Sequence, residues 1–337
     1  MAGKSGRTID ATPKTSIKKR ILSWEGGLVV IFIAVLIFGS IVSKSFTFTN
    51  VLREMPKYLS ELFMMYAMGF ILVIAEIDIS VGAIVCLAGT MTCFANRAGA
   101  PLIVQIIICI GVGFLCGTLN GLIATHFQEL PTMIITLGTQ IIFRGIAEVS
   151  MGSGGSVSLS DTMGFAKIGG MIGPFPIAFF LIVITAIIYI FILSRTTFGR
   201  KMYAIGSNHT AALYAGIPVQ KIRQICFTLV GTMAGICALF LLATSFGANT
   251  TTGQGFEMDV IAMCVFGGIA TTGGKGNLVG ATIAGFTIVC LRIALGQLNM
   301  SGQTILVIIG ILLIVSALIP GINQSIRNRK KTAAVAK

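Results

Sequence analysis

The chain has 337 residues, 55% of them apolar and 10% charged, where a soluble domain carries roughly 25% charged residues. That excludes a soluble globular protein, a disordered chain and a nucleic-acid binder. The formal net charge of +13 comes from 24 Lys and Arg against 11 Asp and Glu, and the basic residues sit in blocks between apolar runs, so they report on loops and tails.

Ten apolar runs follow one another at 27–43, 58–75, 79–95, 102–125, 132–149, 175–194, 225–246, 256–270, 278–295 and 303–320. Most approach the ~20 residues that a bilayer-crossing helix needs. A signal peptide is the competing reading of the first 43 residues, disfavoured because nine more runs follow and no small-residue cleavage site precedes Lys44. An even count puts both basic tails, 1–26 and 322–337, on one face. The segments that then become cytoplasmic hold 17 of the 24 basic residues, against five in the outer loops (Lys44, Arg53, Lys57, Arg97, Lys167), as cytoplasmic loops require. The expectation is an all-α polytopic integral membrane protein of about ten transmembrane helices with both termini cytoplasmic. Its membrane domain is 27–321, with a long cytoplasmic loop at 194–223.

After the second run, Asp78 and Ser80 stand where a third helix can begin, and a carboxylate there organises the loop or caps the helix N-terminus. The fourth run contains Gly111-Val-Gly113-Phe-Leu-Cys-Gly117, and small residues let helix backbones approach closely in lipid. In the fifth, Thr132, Thr136 and Gln140 fall at i, i+4 and i+8, one helical face that Phe143 and Arg144 continue. Hydroxyls and an amide can hydrogen-bond sugar hydroxyls along a translocation path; the alternative is that they bond back to helix carbonyls or neighbouring helices. Arg144 and Glu148, spaced by four, suit an ion pair.

The 194–223 loop has no acidic residue and is built to fold. A short helix is expected from Gly199 to Ile205, ending at Gly206. Asn208 then N-caps a second, over Ala211, Ala212, Leu213, Tyr214 and Ala215, which Gly216 stops in left-handed geometry with Pro218 beyond. Such a pair offers a partner a grip, or anchors the loop to anionic lipid. The eighth run is short and opens with Glu257 and Asp259, which predicts a broken or tilted span, and both acids are expected to partner Arg292 of the ninth. Gly268-Ile-Ala-Thr-Thr-Gly273-Gly274-Lys275-Gly276 lacks the Gly-Lys-Ser/Thr ending of a phosphate-binding loop, and Gly3-Lys4-Ser5 lacks its upstream glycine and strand, so the chain carries no ATPase of its own. All eight cysteines lie inside apolar runs without a metal-ligand pattern and read as packing residues.

The stretch from Thr197-Phe198-Gly199-Arg200 through Ala204-Ile205-Gly206, Asn208, Ala211-Ala212 and Gly216-Ile217 resembles the coupling loop of permease subunits of bacterial ABC importers for monosaccharides, the ribose, xylose, galactose, rhamnose and autoinducer-2 branch. Ile77-Asp78-Ile79-Ser80-Val81-Gly82, Asn120-Gly121, Pro131 through Thr139 with Arg144-Gly145, and Ala262 through Gly276 resemble further blocks of that family in order. Glu76, where many members have glycine, and Arg292 depart from the pattern. The resemblance implies an inner-membrane half-transporter. Two permeases, identical or related, form the pore; a cytoplasmic ABC ATPase, which holds the ATP and magnesium, docks on the coupling loops; an extracytoplasmic sugar-binding protein delivers the ligand. Gly199, Arg200, Ala204, Gly206, Asn208, Ala211, Ala212 and Gly216 would then form the ATPase-coupling surface, and the chain itself would hold no cofactor and catalyse no reaction. The rival is an ion-coupled secondary transporter of a small polar solute, which needs carboxylates buried at mid-depth in discontinuous helices; the acids of this chain are read at span ends. A membrane enzyme would need companions that His126 and His209 lack.

Overall fold

The computed structural model describes residues 24–311 and Ile314. Most of the expected tail 1–26 and all of 322–337 lie outside the described residues, as does the end of the tenth run. In chain order the helices are α1 (Trp24–Val42), α2 (Phe48–Glu54), α3 (Pro56–Val73), α4 (Val81–Arg97), α5 (Leu102–His126), α6 (Thr132–Met151), α7 (Met163–Ile168), α8 (Ile177–Arg195), α9 (Thr197–Ser207), α10 (His209–Tyr214), α11 (Val219–Ser245), α12 (Phe256–Phe266), α13 (Leu278–Gly296) and α14 (Gly302–Ile311). Four strands of two or three residues, β1 (Ser156–Ser158), β2 (Met171–Ile172), β3 (Phe175–Pro176) and β4 (Gly247–Asn249), form two antiparallel pairs, β1 with β4 and β2 with β3.

Among the described residues six helices are long and apolar enough to cross a membrane: α1, α5, α6, α8, α11 and α13. The outward faces of the peripheral ones stay apolar, as with Ile33 and Ile37 on α1, Ile107 and Leu115 on α5, and Ile187 and Phe191 on α8. Such faces are stable only against lipid or another apolar surface. The centre is α3, where every side chain from Leu59 to Val73 is buried.

Backbone contact replaces side-chain packing where α5 crosses α11. A Cβ added at Gly117 would lie 2.5 Å from the Phe227 carbonyl oxygen and 2.8 Å from Gly231 Cα, and one at Gly113 would strike the Gly231 carbonyl. The small-residue run in the fourth apolar segment is thus a close helix crossing. The cysteines are all buried.

The eighth run is cut short. α12 has 11 residues and stops at Phe266, four before the expected end, because the backbone of Gly267 lies against Gly280 and Ala281 of α13 and Gly268 takes φ +91°. The residues before α12 run alongside α4 without being helical. Ala248 lies beside Gly89 of α4, the Cys86 thiol donates to the Asn249 carbonyl at 3.6 Å, and Gly253 packs on Gly82. This stretch descends along about seven residues of α4, roughly 10 Å at 1.5 Å per residue, so α12 begins inside the bundle as a half-span.

Arg292 of α13 donates to both oxygens of Glu61 at 2.8 and 3.0 Å and pairs with Asp259 at 2.6 Å. Of its two expected partners it therefore has one. Glu257 stands two residues before Asp259, about 200° round the helix at 3.6 residues per turn, and turns away toward α6.

Candidate functional site

Two groups of residues stand out, one on the face that carries α9 and α10, the other where α4, α6 and α12 meet.

Thr196 caps α9, its hydroxyl accepting from the Gly199 N–H at 3.3 Å. A Cβ at Gly199 would strike the Leu193 carbonyl, so glycine lets α9 fold back against the end of α8. Met202 and Ile205 are buried beneath it, and the Tyr203 hydroxyl donates to the Gly276 carbonyl at 2.7 Å. Contrary to the sequence expectation, Gly206 does not end the helix; α9 runs on to Ser207. The residue is small because the Val73 carbonyl and the Gly274 N–H pass directly over it, and Gly274 donates to Val73 at 2.9 Å. The helix is thereby fastened to the ends of α3 and α8 and to the loop 267–277. Ala204 is half-buried in it, and Arg200 is exposed.

Asn208 caps α10, its side-chain oxygen accepting from the Ala211 N–H at 2.9 Å. At the other end Gly216 has φ +77°, its N–H reaches the Leu213 carbonyl and that of Ile217 the Ala212 carbonyl, the paired bonds of a left-handed helix stop. Ala212 is 3% exposed and packs into the chain itself, so it is unavailable to a partner, a correction to its place on the expected surface. Ala211 is exposed, and beside it Leu213 (52% exposed) and Tyr214 (88%) project outward. In the sequence these two large side chains read as mere helix formers; the helix has only six residues, too short to bury both. Burial and the nearby Arg223 hold the His209 imidazole below its ordinary value. Its place at the N-terminus of α10 disfavours the cation in the same direction.

Arg223, early in α11, pairs with Glu76 and donates to Gln220 at 3.0 Å. It thus ties the segment following α10 to the 74–80 connection, and Glu76, the departure noted in the sequence, is half of this pair. Asp78 accepts from the Ser80 N–H at 2.8 Å and from its hydroxyl at 2.7 Å, and Asn120 of α5 donates to that hydroxyl at 2.7 Å. Ser80 is the N-cap residue of α4 but makes no side-chain capping bond. Asn120, one of two amides in its apolar run, was legible as polar but not as Ser80's partner.

The five residues of the α6 stripe separate. Thr136 is fully buried, and its hydroxyl accepts from the Ile79 N–H at 3.2 Å; it holds the 74–80 connection. Phe143 is 4% exposed. Thr132, Gln140 and Arg144 are half-buried. Arg144 does not pair with Glu148. Its guanidinium donates to the Thr250 carbonyl at 2.7 Å and the Thr252 carbonyl at 3.3 Å, because the non-helical stretch presents bare carbonyls on that side while Glu148 points outward, exposed. The Gln140 amide donates to Glu257 Oε1 at 3.5 Å. The stripe thus unites α6 with the half-span, a meeting no reading of α6 alone reveals.

Residues 57–317 match the family described as branched-chain amino acid transport system / permease component. The chain is 31% identical over 308 residues to the ribose import permease protein of Bacillus subtilis, covering 91% of this chain and 92% of that one. It is 34% identical over 299 residues to the D-allose transport system permease protein of Escherichia coli, covering 87% and 90%. With the autoinducer 2 import system permease protein of an Enterobacter species the identity is 32% over 291 residues, 81% and 78%. No solved structure gives a significant match.

Proposed function

The chain belongs to the family of branched-chain amino acid transport system permease components, and from that premise we propose that it is the permease subunit of an ATP-driven ABC importer in the bacterial inner membrane. Its cargo is a monosaccharide or similar small polyol, the chemistry named for its ribose and allose relatives. About ten membrane crossings, four of them by helices shorter or less apolar than the six long ones, and cytoplasmic termini complete the topology. The partners are a cytoplasmic ABC ATPase carrying ATP and magnesium, a second permease and an extracytoplasmic sugar-binding protein; boundary lipid covers the apolar faces. The chain supplies the path and performs no chemistry.

The observation that carries this reading is the α9–α10 pair. It is capped at Thr196 and Asn208, fastened at Gly199 and Gly206 to the ends of α3 and α8, and leaves Leu213 and Tyr214 uncovered. A nucleotide-driven movement applied there passes to the bundle through backbone contacts with little slack. The test is affinity purification of the tagged permease from its own membranes. The ATPase subunit co-purifies with the wild type. With Leu213→Glu plus Tyr214→Ala it is lost, uptake stops, and permease abundance is unchanged. Retention of the ATPase by that double variant overturns the assignment of the docking face. Uptake abolished by ATP depletion but indifferent to a protonophore separates this importer from an ion-coupled transporter.

A further inference from the structure

Glu257 stands in the first turn of α12, a helix that begins inside the bundle, and its side chain is directed at Gly82 in the first turn of α4. A Cβ added at Gly82 would strike both Glu257 Oε2 and the Gly253 carbonyl, so glycine there is what admits the carboxylate. Two helix N-termini, each with free N–H groups and the positive end of its dipole, converge on one carboxyl group. Glu257 is 8% exposed, its Oε1 has the Gln140 amide at 3.5 Å, and its Oε2 has no hydrogen-bond partner among the described residues. Among the other buried acids Glu61 and Asp259 share Arg292, Glu76 has Arg223, and Asp78 accepts from both groups of Ser80 at one oxygen. Glu76 Oε2 and Asp78 Oδ2 also have no hydrogen-bond partner among the described residues, but of these three acids only Glu257 has neither an ion pair nor a hydrogen bond shorter than 3.5 Å. Arg144, the basic side chain on the same side of α6, is committed to the Thr250 and Thr252 carbonyls.

A buried carboxyl oxygen left without a donor costs free energy, and here a donor has only to arrive from the α6 side, where Gln140 is half-open. A hydroxyl-bearing solute brings such donors, and no ion pair has to break to receive them. We propose that Glu257 is a substrate-contacting residue of the translocation path, its carboxylate accepting hydrogen bonds from the hydroxyls of an uncharged polyol while the Gln140 amide binds beside it. This rests on the reading of the chain as a permease whose path runs along α6.

The test uses the permease–ATPase complex in membrane vesicles and a membrane-impermeant methanethiosulfonate as the probe, with Glu257→Cys and, separately, Gln140→Cys. Both introduced thiols react, and the rate at position 257 changes severalfold between the nucleotide-free and the vanadate-trapped complex. In uptake of radiolabelled D-ribose and D-allose, Glu257→Gln raises KM about tenfold for the sugar the wild type imports, the loss of one hydrogen bond to a charged group, with the complex at normal abundance. If the thiol at position 140 reacts and the one at position 257 does not in either state, or if Glu257→Gln keeps the wild-type KM, the proposal is overturned while the permease reading stands. If neither thiol reacts although the ATPase remains bound, the path along α6 is what fails.

Discussion

Arg292 holds one positive charge between the carboxylates of Glu61 and Asp259, with Arg292 and Glu61 only 6% and 4% exposed. Removing it leaves two acids buried without a counter-charge, which costs about 3–5 kcal/mol when one member of a buried pair is deleted. Arg292→Met is therefore expected to lower both membrane abundance and the thermal aggregation midpoint in detergent. Arg292→Lys recovers only part, because an ammonium cannot span two carboxylates as a guanidinium does. Wild-type thermal behaviour of Arg292→Met would show that the three charges contribute nothing net. On α6 the same scale separates two residues that share a helical face. Thr136→Val removes the acceptor for the Ile79 N–H and leaves it unsatisfied, so stability falls by about 1–3 kcal/mol along with uptake. Gln140→Leu gives up only the 3.5 Å bond to Glu257 from a half-buried side chain, so it should reduce uptake with a smaller loss of stability. Equal thermal midpoints for the two variants would contradict that division. The stripe of polar residues was legible from spacing; which member meets α12 and which serves a neighbouring loop was not, since spacing defines a face but not what lies opposite.

Among the elements, the α5–α11 crossing and the α9–α10 pair depend on glycine for different reasons. At Gly231 a Cβ would meet Gly117 Cα at 2.5 Å, so Gly231→Val forces two long helices apart. The cost is at least the roughly 1–3 kcal/mol of an overpacked core, and the expected result is loss of folded protein from the membrane, scored by detergent-resistant monodispersity. At Gly216 an added Cβ meets nothing, and the penalty is purely conformational, about 1 kcal/mol for a residue with a side chain at φ +77°. Gly216→Ala should thus leave abundance intact and weaken ATPase retention only modestly, whereas Gly216→Asn, which tolerates that geometry better, should approach wild type. Caps and the left-handed stop were readable because they are local chemistry within a few residues. The role of Gly206 was not, since the atoms that exclude its Cβ belong to Val73 and Gly274, more than 60 residues away on either side.

At the scale of the whole chain the distribution of basic residues predicts an orientation that can be checked directly. Cysteine introduced at Ser153, exposed in the connection between α6 and α8, should react with an impermeant thiol reagent in intact cells, and at Thr210, exposed on α10, only after permeabilisation. The reverse pattern would invert the molecule. The amino-acid sequence alone determined the membrane class, the positions of the apolar runs and the short capped helices, because hydropathy, charge asymmetry and capping are properties of contiguous residues. It also carried the family resemblance, which resides in ordered blocks along the chain. Only the tertiary structure decided that the eighth run is a half-span entered by a non-helical stretch, that Arg292 answers Glu61 rather than Glu257, that Arg144 binds carbonyls rather than Glu148, and that Ala212 faces inward. Each of these depends on which distant backbone or charge is brought within a few ångströms. In a bundle whose lipid-facing and buried surfaces are both apolar, hydropathy by itself does not say which helix faces which.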